Sequence, residues 1–245
     1  MMRWLFLAAA WMFQIPSWAD EPLTVALEPA QVDISADFTG IDLKAIGSMK
    51  GSGDLIVKVA GPLQDVTLSR KTKLGPFWIG GETVKMGGAP SLLFLCATAP
   101  IASVLPPAER GKYALLLEGV PVRIEPQLQA HAASVWRKAF FQLKEKEGYY
   151  REDDDAIRVF ENGQFIADIR LPGDLQVGTY TVETLLVRSG KVVGHTVGEF
   201  KVRLVGIEHW IWNAAHDYPW LFGSLFTLAA MLLGLALSAI AYRFR

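Results

Sequence analysis

From Trp220 to Tyr242 the chain carries no charge and few polar side chains, and Arg243, Phe244 and Arg245 close the run. About 20 apolar residues at 1.5 Å rise each cover the roughly 30 Å hydrocarbon core of a bilayer, and a buried globular helix rarely stays uncharged for so long. Residues 220–242 are therefore predicted to form a transmembrane helix. Everything before them must suit a chain tethered at this point.

The other end supports the same topology. Met1, Met2 and Arg3 precede an apolar core from Trp4 to Ile15, and Ser17 and Ala19 are small. That pattern predicts a secretory signal over residues 1–19, cut after Ala19. Once the N-terminus has crossed, the second apolar run has to stop transfer. Arg243 and Arg245 at its far end fit positive charge retained in the cytoplasm. The expectation is a single-pass protein with residues 20–208 exported and a short cytoplasmic tail, 243–245.

Residues 209–219 read as a juxtamembrane stalk. Trp210, Trp212, Tyr218 and Trp220 have apolar bodies and polar tips, which suits them to the headgroup layer. His209 and His216 are seven apart and would share a helix face. With Asp217 they make a partial metal site, short of the usual ligand count.

The chain has 24 Lys and Arg against 25 Asp and Glu, and Arg3, Arg243 and Arg245 fall outside residues 20–218. The exported part is thus mildly acidic, with 21 basic against 25 acidic residues. It offers no basic face for a phosphate backbone, so nucleic acid is excluded as a partner. Cys96 is the single cysteine, so no intrachain disulfide can form, and its apolar neighbours Leu92–Ala97 predict a small buried hydrophobe.

Residues 23–71 read as four or five short strands, with alternation at Leu23, Val25 and Leu27 and again at Val66 and Leu68. From residue 75 glycine and proline interrupt the pattern, which reads as irregular. Between Gln127 and Gly148 the period changes: Leu128, Ala132, Val135, Trp136, Ala139, Phe140 and Leu143 recur at helical spacing, opposite Arg137, Lys138, Lys144, Glu145 and Lys146. Residues 156–205 predict four successive antiparallel strands, with turns at Asn162–Gly163, Pro172–Gly178 and Ser189–Gly190. The phrase LPGDLQVGTYTVETLLVR resembles the passage between two strands of an immunoglobulin-like sandwich. The fold class expected is mainly β: an immunoglobulin-like β-sandwich from residues 23–71 and 156–205, a partly helical insertion about 75–150, and one C-terminal transmembrane helix. Two small β domains flanking the helix are the alternative.

Recognised catalytic patterns are missing. Gly47–Gly53 lacks the Gly-Lys-Ser/Thr ending of a P-loop and reads as a turn. His131 and His195 have no nucleophile at a recognised spacing, and Asp153, Asp154 and Asp155 lack the alternation of a calcium loop. Arg70, Lys71 and Lys73 form a small basic cluster that could meet lipid headgroups. No catalytic residue and no cofactor is assigned. Within the span, Thr227, Ala230, Gly234, Ser238 and Ala241 line up as small residues on one face, where close backbone approach would drive pairing with a polytopic membrane protein or a second copy.

The layout as a whole, with the segments FWIGGETVKM, LPPAERGKYALLLEG and LPGDLQVGTYTV, resembles the alphaproteobacterial putative transmembrane protein family. The resemblance covers nearly the full chain and implies an inner-membrane protein facing the periplasm. In setting it is similar to accessory proteins encoded near sulfite exporter-type permeases. The expected function is a non-enzymatic accessory or interaction subunit of a membrane transporter. A periplasmic module binding or sensing a small solute or metal is the alternative.

Overall fold

The computed structural model describes residues 22–206, 211–212 and 215–243. The predicted signal, His209, Trp210 and Arg245 lie outside them. In chain order the strands are β1 (Leu23–Glu28), β2 (Gln31–Ile34), β3 (Ile41–Met49), β4 (Asp54–Ala60), β5 (Leu63–Leu74), β6 (Phe77–Pro90) and β7 (Leu93–Ala97). Two short helices follow, α1 (Ile101–Val104) and α2 (Pro107–Lys112), then β8 (Arg123–Glu125) and α3 (Ala130–Lys146). The chain finishes with β9 (Tyr150–Asp153), β10 (Ile157–Val159), β11 (Gln164–Leu171), β12 (Gly178–Arg188), β13 (Lys191–Leu204) and the apolar helix α4 (Pro219–Arg243).

The strands assemble into three sheets. Sheet A has the order β1-β3-β11-β10, sheet B the order β2-β13-β12-β4-β7-β9, and sheet C the order β5-β6-β8. Sheets A and B face each other. Leu43, Ala45, Phe165, Ala167 and Ile169 from A meet Leu55, Val57, Phe94, Cys96, Val182, Leu186 and Phe200 from B in one apolar cluster. A strand turns alternate side chains to opposite faces. The residues in between, Ile56, Leu93, Leu95, Leu185 and Val187, therefore point outward from sheet B, and they are buried as well. Phe140 and Phe141 of α3, with Val84 and Met86 of β6, cover them in a second cluster. Sheet B is thus the middle of three layers, which explains why β7 reads LFLCA without polar alternation.

The turns and strand pairings match the sequence expectations at one hairpin and depart from them elsewhere. The turn joining β12 and β13 holds Ser189 at φ 49° and Gly190 at φ 73°, the two positive angles of a tight hairpin that matches strand twist. Asn162 and Gly163 do not form such a pair. The Gly163 amide donates to the Phe160 carbonyl, so Glu161 and Asn162 are central and only Gly163 takes a positive φ. The four last strands are not all neighbours: β11 pairs with β3 and β12 with β4, because the Pro172–Val177 connection crosses from sheet A to sheet B. The expected irregular stretch from residue 75 is instead β6, fourteen residues long and paired with β5, the glycines being absorbed by two register shifts. Gly47 to Met49 end β3 and are not part of a loop.

Cys96 is fully buried and its thiol is pushed up to about 12, chiefly by desolvation, as expected for an inert side chain. Gly47 marks a close approach, since a Cβ there would stand 2.2 Å from the Thr24 carbonyl oxygen and 2.6 Å from the Phe165 ring. Tyr180 and Phe200 stack across β12 and β13 with centroids 5.0 Å apart. Phe200→Ala is expected to cost about 3–5 kcal/mol of unfolding free energy and Gly47→Ala about 1–3 kcal/mol. Denaturant titration of the full-length protein in mild detergent checks both, and a Gly47→Ala protein as stable as the native one would refute the close approach.

Candidate functional site

A polar recess lies where the β11–β12 connection meets the end of α3. A pocket of about 230 Å³ is lined by Gln64, Ser91, Lys144, Tyr149, Gln176 and Tyr180, with Asp174 at its side. The helical pattern predicts Lys144 on the charged outer face of α3, yet it is 6% exposed. The reason is the helix face chosen by packing. Phe140 and Phe141 carry the apolar contact, Lys144 stands three and four residues beyond them, and Arg137 on the same side donates to the Val122 carbonyl at 3.3 Å. Val135 and Leu143, expected to be core, are exposed instead.

Burial lowers the Lys144 pKa below its ordinary 10.5, the charges of Glu147 and Asp174 opposing the shift. Its ammonium lies 4.7 Å from the Tyr149 ring centroid. The Tyr149 hydroxyl donates to the Asp174 carboxylate, and that bond pushes the phenol up to about 12. The Tyr180 hydroxyl donates to the Gln176 carbonyl at 3.1 Å. Cation, phenols and amides thus converge on a small volume, the usual form of a polar binding recess. No signal in the helical period pointed to it, although Lys144 follows Phe140 and Phe141 at contact spacing.

A second cluster sits on the outer face of sheet B. Lys58 Nζ is 2.8 Å from Glu183 and donates to the Tyr113 carbonyl at 2.9 Å. His195 Nε2 is 3.3 Å from the other Glu183 oxygen, and the Tyr113 ring meets the imidazole edge-on. The cluster ties the end of α2 to β4, β12 and β13. His131 lies elsewhere, on the rim of a groove between α3 and the β5–β6 hairpin.

In the stalk, His216 Nδ1 lies 2.9 Å from the Trp212 carbonyl oxygen and its ring stacks on Trp212 at 4.2 Å. Among the described residues no group of three His, Cys, Asp or Glu side chains could hold a metal ion. Trp212 also borders an apolar groove of about 550 Å³ with Val177, Leu204 and Val205. Trp212, Tyr218 and Trp220 are exposed.

Helix α4 contains a window, Pro219–Ser238, with mean hydropathy 2.0 and no part buried against the rest of the chain. Thr227, Ala230, Gly234, Ser238 and Ala241 fall within an arc of about 80° at 3.6 residues per turn. A Cβ at Gly234 would meet nothing within 4 Å, so that face is open for close approach. Thr227 donates to the Gly223 carbonyl at 2.8 Å, so its hydroxyl is already satisfied and at that position the stripe offers close packing. Arg243 ends the helix.

A family model described as putative transmembrane protein (Alph_Pro_TM) matches residues 22–243. No curated protein matches the chain.

The Lys144 recess makes a pH prediction. Between its lowered pKa and 10.5 the unfolded chain binds this proton more tightly than the folded one, so the Lys144 contribution to stability rises as pH climbs through that interval. Tyr149 acts oppositely: above its ordinary value of 10.0 the unfolded phenol ionises while the folded one keeps its proton, and stability falls. Lys144→Met is expected to unfold at higher denaturant concentration than the native protein at neutral pH, with the gap narrowing toward about pH 10. A constant gap across that range would show that the Lys144 charge is not penalised.

Proposed function

The chain belongs to this family of transmembrane proteins, and from that premise we propose that it is a membrane-anchored accessory subunit. Its β-sandwich stands in the periplasm, α4 crosses the inner membrane, and the C-terminus is cytoplasmic. The observation that carries the reading is the state of α4: its apolar window is wholly free of the sandwich, so the helix is available to lipid or to another helix along its length. The small-residue face supports the second option at one azimuth, and the exposed Leu225, Phe226, Leu232 and Leu233 supply lipid contact elsewhere.

The order β1-β3-β11-β10 opposite β13-β12-β4-β7 supports an immunoglobulin-like reading of the sandwich. Tyr180 strengthens it, since its hydroxyl reaches back four residues to the Gln176 carbonyl near the start of β12, in the manner of a tyrosine corner. Such sandwiches serve commonly as interaction modules. The partner is a polytopic membrane protein of transporter type, for which a sulfite exporter-type permease is the first candidate. The reading involves no catalytic step.

Co-purification of the full-length protein in mild detergent tests this directly, with a stoichiometric polytopic partner as the expected result. Gly234→Ile places a branched side chain on the packing face and is expected to lower cross-linking of the complex several-fold without changing membrane insertion. Unchanged cross-linking would remove the span from the interface.

A further inference from the structure

The β5–β6 hairpin leaves the body of the protein. Its strands pair from Leu63 and Pro90 out to Leu74 and Phe77, and twelve residues at about 3.3 Å each reach about 40 Å. Only the base is packed. Val84, Met86 and Ala89 are buried, whereas every described side chain from Ser69 to Thr83 is exposed.

Register divides the outer part into two faces. Phe77 and Ile79, two apart on β6, share one face and are 71% and 44% exposed. Lys71 pairs with Gly80 and Lys73 with position 78, which places both lysines on the other face. Arg70 occupies the register shift between Ser69 and Lys71. Glu82 is the single acidic residue between 70 and 82, leaving this segment net positive. Among the described residues none of the three cations has an ion-pair partner.

The hairpin springs from the end of sheet B at which the chain departs for α4. Ala60, the last residue of β4, pairs with Thr181, and Gly178 at the start of β12 pairs with Val202 near the end of β13. Pro62 lies against Gly178, and Gln176 donates to Gln64. An apolar tip backed by unpaired cations, on a chain with its own bilayer anchor leaving from the same end, matches an anionic lipid surface. The ring and the isoleucine would enter the boundary between headgroups and acyl chains, while the lysine stems extend their ammonium groups to phosphates. The tip exposes only a few side chains, Phe77 and Ile79 the large apolar ones among those described, against the roughly 20–30 residues and 800 Å² per partner of a standard protein interface. A tethered lipid contact needs no such area, because the span already supplies the local concentration.

We propose that the hairpin tip, through Lys71, Lys73, Phe77 and Ile79, is a second membrane contact that seats on the anionic surface of the bilayer anchored by α4. This goes beyond the accessory-subunit reading and rests only on the chain's being a membrane protein. The test uses the full-length protein carrying Pro76→Cys, labelled with a fluorophore, in nanodiscs whose lipids bear nitroxide quenchers. Cys96 stays buried, so labelling is confined to the tip, and its inertness reports intact folding.

The label is expected to be quenched in phosphatidylglycerol-containing discs and much less in pure phosphatidylcholine. Quenching should fall several-fold, roughly fivefold per lysine at most, after Lys71→Glu with Lys73→Glu, and also after Phe77→Ser with Ile79→Ser. Equal exposure to water on both lipids overturns the proposal, as does undiminished quenching after charge reversal in a protein whose Cys96 remains protected. A label shielded in native membranes but not quenched by lipid nitroxides would assign the tip to a protein partner, and that also overturns it.

Discussion

The middle of sheet B, at β4 and β7, is apolar on both faces, and the neighbouring layers cover it. Leu55, Ile56, Val57 and Val59 of β4 and all five residues of β7 are buried, so here the sheet is shielded from water on both sides. One face is met by sheet A. The other requires a further layer, built from α3, the short helices and the base of sheet C, which a single two-layer sandwich would lack. Burying a sheet on both sides is the usual situation of parallel sheets flanked by helices, and β7 and β9 do pair in parallel at this edge.

The covering layer has a polar cost at its seam. Phe140 and Phe141 set the rotation of α3 on the sheet, and the same rotation carries Arg137 and Lys144 inward while turning Val135 and Leu143 to solvent. Arg137 recovers a backbone carbonyl and Lys144 a tyrosine ring, so each charge is partly compensated. The recess around Lys144 is therefore a product of the packing that closes sheet B, placed beside the β11–β12 connection because α3 ends there. At the other side of α3, the turned-out apolar residues face Leu68 and Arg70 across an open groove, and the hairpin continues beyond it.

The sequence was most legible where a strand has one wet face. β12, β13 and the Ser189–Gly190 turn follow directly from alternation and a tight-turn pair, and the C-terminal helix follows from length and absence of charge. It was least legible where glycines interrupt a strand. Gly80, Gly81, Gly87 and Gly88 look like loop residues, yet they lie within β6, where Gly80 pairs with Lys71 and the other three fall at the two register shifts against β5, an arrangement that no local pattern announces. The face of α3 is ambiguous in the sequence for a related reason: two overlapping apolar stripes share Trp136 and Phe140, and only the distant partner sheet decides between them. Likewise nothing local in Leu93–Ala97 or Tyr150–Asp153 says that both strands extend sheet B. The polar recess depends on that helix rotation, so it was hidden with it, whereas the stripe on α4 needs only helical periodicity and could be seen at once.

Strand β13 has a mechanical consequence. It is held along its length by β12, from Gly178↔Val202 to Arg188↔Lys191, and its last four residues are also gripped in parallel by β2. The Val205 amide adds a 2.8 Å bond to the Ile34 carbonyl just before the chain leaves the sheet. A pull transmitted from the span to a sandwich held elsewhere runs along this strand, across its ladder bonds. Those bonds are then loaded in shear and share the force, where a strand peeled from its end would surrender them one by one.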